Sequence, residues 1–157
     1  MCLASDVAMT MVNRSIEMAK TRSNNQYYLD SVKLHKLLFL GQYYMLKHYG
    51  RPLFEEEITA HYCGPYVNGI QVIPGTKGFA QIKDPFSERE FVYPSVIRMN
   101  IIDRILEKYG QCSAEAIIEI AKETKPYKAV ESLITQTYKP VIPLNEMING
   151  DDALLAG

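Results

Sequence analysis

The run SVKLHKLLFLGQYYMLKHYGRP, Ser31 to Pro52, constrains the fold more than any other part of the chain. On a helix advancing about 100° per residue, Leu34, Leu37, Leu38, Gly41, Tyr44, Met45, Leu46 and Tyr49 cover most of the circumference, while Lys33, Lys36 and Lys47 share one narrow sector. A helix apolar on so many sides must be covered on most of them, so the other elements are expected to pack around it, with Tyr44 and Tyr49 in the core. Asp30 or Ser31 can accept hydrogen bonds from its first amides. Gly50 suits the left-handed residue after the last turn, and Pro52 prevents continuation, which sets the helix at Ser31–Tyr49.

Beyond Pro52 the acidic run Glu55-Glu56-Glu57 leads into ITAHYC, where Ile58, Ala60 and Tyr62 alternate with Thr59, His61 and Cys63 at period two, the mark of a short strand. Gly64-Pro65 is expected to turn the chain. Any helix starting after Pro65 would be broken by Gly69, Pro74, Gly75 and Gly78. FAQIKD and EREFVYP, joined through Pro85-Phe86-Ser87, are expected to form a small hairpin against the first strand.

The flanks read as helices. From Leu3 to Lys20, Leu3, Val7, Met11 and Met18 recur at helical steps with Asp6 in the first turn. Ser95 caps a helix with Ile97, Ile101, Ile102, Ile105, Leu106 and Tyr109 on one face, ending at Gly110. Ser113 caps the next, carrying Ala116, Ile117, Ile120 and Ala121. Pro126 opens a third with Val130, Leu133 and Ile134, the pair Val141-Ile142 is extended, and LNEMI gives a last helical turn. The fold class expected is mainly α (α+β): a compact helical domain around a buried central helix, with a small antiparallel sheet or hairpin. A chain of 157 residues fits one domain, residues 1–157, with a core that needs no disulfide or metal.

Net charge is −1 with both signs interspersed, unlike the gathered basic excess of a nucleic-acid binder. Cys2, Cys63 and Cys112 are odd in number and form no CxxC pair, which fits a reducing, cytoplasmic setting. The apolar run between Asp6 and Arg14 is too short for a signal peptide or membrane span. No P-loop, dinucleotide-binding glycine fingerprint, GxSxG or HExxH occurs, and His35, His48 and His61 have no metal-ligand spacing, so no cofactor, metal or enzyme activity is expected. His35 shares a helix face with Gln42 and reads as a hydrogen-bonded core imidazole.

Cys63 beside His61 suggests a nucleophile and base, the basis of a thiol-dependent hydrolase alternative. Side chains two apart on a strand lie about 7 Å from each other, however, and no third partner is visible, so a half-buried structural thiol is the simpler reading. Gly64-Pro65 is either purely mechanical or a rigid base presenting Tyr62 and Tyr66 to a partner, tyrosine being favoured at interfaces. The Glu55–Glu57 run is a solvated loop or a patch that steers association with a basic protein.

The run KLHKLLFLGQYYMLKHYGRPLFEEEITAHYCGPYV resembles the signature of the Panacea, or SocA-like, antitoxin domain of bacteria and their phages: a KLQKLLYFAQ-type helix, a GxPLF stop, an acidic-flanked strand and a YGPV turn. IIDRILEKYGQCSAEAIIEIAKETKPYKAV and the closing KPVIP resemble its C-terminal part. His61 stands where that family often has Trp, Cys63 where it often has Tyr, and Asn68 where a second Pro is common. The resemblance implies an antitoxin that neutralises a cognate protein toxin by direct binding, or an adaptor delivering the toxin to a cellular protease. A chaperone is a further candidate partner, and an adaptor would need a second surface, for which the tail Asn149–Gly157 is the candidate. The partner surface is expected on Phe54, Glu55, Glu56, Glu57, His61, Tyr62, Gly64, Pro65 and Tyr66.

Overall fold

Helix α2 (Ser31–Tyr49) forms where its end signals place it. The Asp30 carboxylate accepts from the Lys33 amide at 2.8 Å, and Gly50 closes the last turn at φ 69°. The computed structural model describes residues 2–76 and 78–153. In it Leu34, Leu37, Leu38, Phe39, Leu40, Tyr43 and Met45 are fully buried. The architecture is mainly helical with a two-stranded antiparallel sheet, as expected.

Helix α1 (Ala4–Thr21) has no side-chain cap of its own. Glu56, far along the chain, accepts from the Ala4 amide at 2.8 Å instead. Arg14 clamps α1 to α3 (Val96–Tyr109) through two bonds to Asp103, of 2.9 and 2.7 Å. Ser95 caps α3 and Ser113 caps α4 (Ala114–Lys122). Helices α5 (Lys125–Glu131) and α6 (Leu144–Asn149) follow, and α3, α4 and α6 all pack on α2. Val130 and Ile134 are buried, but α5 stops at Glu131 and Leu133 stays 52% exposed.

Strands β1 (Ile58–His61) and β2 (Gly64–Val67) pair antiparallel, Thr59 opposite Tyr66 and His61 opposite Gly64. The reversal therefore falls on Tyr62-Cys63, and Gly64-Pro65 opens the second strand instead of making the turn. Pro65, lacking an N–H, stands opposite Ala60, whose own amide points away from β2 and donates to Pro140 O at 2.8 Å. The Ile142 amide reaches Ile58 O at 2.8 Å, so the Val141-Ile142 pair lies extended along the other side of β1.

FAQIKD and EREFVYP do not form a hairpin, and among the described residues no helix starts between Pro65 and Val96. Ile82 makes one bridge to Leu29 at the entry to α2. The next residues run along α1, whose side chains take the place of a strand partner: Asn13 brackets both backbone groups of Phe86 at 2.8 and 2.9 Å, and Asp6 accepts from the Val92 amide at 3.0 Å. Tyr49 is 50% exposed, because the last turn of α2 projects past its packing partners. Lys33 and Lys36 are each only 5% exposed, so the lysine sector is covered by other elements along the first half of the helix and opens to solvent only at Lys47.

Candidate functional site

The strap joining α2 to β1 is held from two sides. Gln42, 1% exposed, accepts from the Leu53 amide at 2.6 Å and the Phe54 amide at 3.3 Å, and donates to Phe54 O at 3.0 Å. Arg98 of α3 donates to Leu53 O and Pro52 O at 3.1 and 3.0 Å. The strap then lies so close to α2 that a β-carbon on Gly41 would meet Leu53 Cδ2 at 2.9 Å. Sequence reasoning placed Gln42 on a buried face without its role. The signal was the single amide side chain of this helix, next to Gly41 and one turn beyond Leu38.

Beyond the strap, Glu55 and Glu57 are exposed, while Glu56 turns inward to hold α1. Glu55, Glu57, Ile58, Val141, Leu144 and Met147 line a groove of about 250 Å³ floored by Gln42. Val141, Leu144 and Ile148 beside it are 39, 48 and 40% exposed. None of these three was among the expected partner residues. They come from a segment some eighty residues downstream that its backbone pairing with Ile58, Thr59 and Ala60 brings alongside β1.

Across the hairpin, a ladder of rings runs from α2 to the surface. His35 Nδ1 accepts from the Val67 amide at 2.9 Å, and its ring stacks on Tyr66 at 4.1 Å; Tyr66 in turn meets His61 at 4.8 Å. Burial first, and then the nearby Lys36 charge, push His35 down to about 3, so it is a neutral acceptor at neutral pH. His35 is thus the core imidazole that the helix face implied. His61 is also lowered, chiefly by burial, and its Nε2 lies 2.9 Å from Thr59 Oγ1. The Tyr127 hydroxyl donates to His61 O at 2.5 Å. At the tip, Tyr62 is 56% exposed, donates to Ile134 O at 3.3 Å, and carries the Lys139 ammonium 5.2 Å over its ring.

The nine expected partner residues thus separate by depth. Glu55, Glu57 and Tyr62 are exposed, and Glu56, His61 and Tyr66 are half-buried. Phe54 is 1% exposed and Gly64 and Pro65 are buried, so they support the ribbon from beneath, because the strap and β2 lie flat on α2. Cys63 is exposed at the tip. Among the described residues no group of three or more His, Cys, Asp or Glu is arranged to hold a metal.

Just past α6, Gly150 packs against the Tyr43 ring, and the Asp152 carboxylate takes the Tyr43 hydroxyl at 2.5 Å and the Lys125 amide at 3.0 Å. Asp151 pairs with the Lys125 ammonium. Of the tail Asn149–Gly157, residues 154–157 lie outside the described residues.

Fold and site together define a helical scaffold built on one buried helix, with a hairpin ribbon laid across it at the surface. The chain belongs to the SocA-like antitoxin family: the model described as "Antitoxin SocA-like, Panacea domain" matches residues 34–128, from α2 through α5, the segment that builds the ribbon and its supports. No curated protein and no solved structure matches the chain. No helix of the described residues is long and apolar enough to cross a membrane.

Proposed function

We propose that the protein is an antitoxin that neutralises a cognate protein toxin by direct binding, acting as a single cytoplasmic domain without catalysis of its own. The observation that carries this reading is the exposed stripe along the outside of β1. Tyr62, Val141, Leu144 and Ile148 leave apolar surface in solvent beside a groove edged by Glu55 and Glu57, all on a rigid base. Apolar anchors in a groove with a charged rim are what a stable protein interface needs, and burying about 1,600 Å² in total requires roughly this face and its surroundings.

The test pairs Tyr62→Ala with Leu144→Asp. Leu144 is the first residue of α6, where an acidic side chain suits the free amides, so the change leaves the fold intact while placing a charge in the stripe. Wild-type protein should co-purify with the product of the neighbouring gene and rescue cells from it, and the double variant should do neither. Rescue undiminished in the double variant would reject this surface. Rescue accompanied by loss of the toxin itself would mean delivery to a protease instead of occlusion.

A further inference from the structure

Two lysines almost one turn apart on α2 are buried to the same extent, 5% exposed each, and the chain treats them differently. Lys33 Nζ donates to Gln26 O and Gly110 O, both at 2.8 Å, and lies 3.5 Å from Tyr28 O. Lys36 has no hydrogen bond or ion pair to any described residue. Its ammonium lies under the hairpin: a β-carbon on Gly64 would stand 3.1 Å from Lys36 Cε and 3.9 Å from Nζ. Every side-chain nitrogen or oxygen among the described residues that is wholly shielded from solvent has a partner. Lys36 Nζ therefore keeps a narrow opening to solvent at the hairpin.

What surrounds it is short of negative charge. Asp30 acts on it from the start of its own helix and the Cys63 thiol from the tip. His35 on α2 and His61 on β1 both feel its positive charge. Lys122 of α4 packs its stem 3.7 Å from the same Gly64 position, and Lys139 sits over Tyr62. Tyr66 of β2 and Tyr127 of α5 also border this cluster. An ammonium so largely withdrawn from water keeps only the hydration its opening admits, and a chain that supplies three carbonyls to Lys33 offers Lys36 no acceptor of its own.

We propose that Lys36 is an oxyanion subsite beneath the hairpin, completed by the carboxylate of an acidic side chain on the bound partner, an inference that rests on the reading of this protein as a toxin-binding antitoxin. Gly64, the residue lying over the ammonium, directly follows the exposed tip Tyr62-Cys63, and Lys122 and Lys139 make no ion pair among the described residues. The other end of β1 carries Glu55 and Glu57. One edge of the ribbon is thus basic and the other acidic, a polarity that would fix the orientation of a partner with the opposite pattern.

The test is titration calorimetry of the toxin complex at pH 8.5, in buffers of different ionisation enthalpy, for wild type and Lys36→Met. Burial lowers Lys36 to about 8 in the free protein. A carboxylate would raise it again, so wild-type binding should take up about 0.7 proton and the variant none. Lys36→Met should bind roughly 30-fold or more weakly while melting no lower than wild type. Wild-type binding without proton uptake, or equal affinity of the variant, overturns the subsite, and the first result needs no variant to fold. Should the wild-type complex not form at all, direct binding is what fails. The subsite is then decided by amide NMR of the free protein titrated with N-acetylaspartate: shifts at Gly64 and Lys36, absent in Lys36→Met, support it, and their absence in wild type overturns it. A response to inorganic phosphate with none to N-acetylaspartate would overturn the carboxylate assignment.

Discussion

Replacing Gln42 by Leu should destabilise the protein by about 1–5 kcal/mol, and the figure follows from its partners. The swap nearly preserves volume, so the cavity contribution is small. What it removes is the acceptor for the Leu53 amide at 2.6 Å and the donor to Phe54 O at 3.0 Å; the Phe54 amide at 3.3 Å adds little. Each of the two orphaned backbone groups then bears a desolvation penalty of about 1–3 kcal/mol, and burial of leucine in place of an amide returns roughly 1 kcal/mol. Urea unfolding measures it, with a lowered midpoint and an unchanged slope. Arg98 holds the same strap through Leu53 O and Pro52 O, so Arg98→Met and Gln42→Leu together should deviate from additivity by about 1 kcal/mol. A loss below about 1 kcal/mol for Gln42→Leu would refute the argument that this side chain is what fastens the strap.

Three further outcomes follow from the same structure. His35 and His61 are lowered in the folded state, so their contribution is complete above pH 6.5 and drains as pH falls through that value toward the folded pKa, about 3 for His35. Thermal melts between pH 6.5 and 4.5 should lose about 1 kcal/mol per pH unit, and His35→Asn should flatten the slope. Reversing Glu55 and Glu57 to lysine should slow association with the toxin by about tenfold at low salt, with the difference fading at high salt, as measured by stopped flow; an unchanged rate removes them from steering. Cys63→Ala should leave toxin neutralisation within about twofold in a cell-rescue titration, because no described hydrogen bond involves its side chain; loss of rescue would revive a thiol-based mechanism.

What could be read from the residues was what is local. Asp30, Ser95 and Ser113 cap their helices through amides three residues on, and Gly50 takes its positive φ one residue past the last turn, so each signal and its consequence lie within four residues. The ribbon was legible as a strand but not as a hairpin. Glycine and proline look alike as turn-formers, whereas here Gly64 is needed both for its φ of 110° and because Lys36 Cε lies 3.1 Å from where a β-carbon would stand, and Pro65 is tolerated because its position asks for no donor. The segment 79–93 carries no period because its partners are single side chains, Asn13 and Asp6, lying 73 and 86 residues away from the amides they satisfy.

The two lysines set the limit. Lys33 and Lys36 share a sector and a burial, each is followed by a leucine, and within a turn only Asp30, three residues before Lys33, separates them. The difference is made by which distant backbone folds over each. The loop after α3 delivers Gly110 O to Lys33, while the hairpin covers Lys36 with Gly64 and offers no acceptor. A structural lysine and a candidate binding lysine are therefore separable only after the chain has closed on them, since the distinction lies in the coordination of the ammonium and not in the residue or its helix.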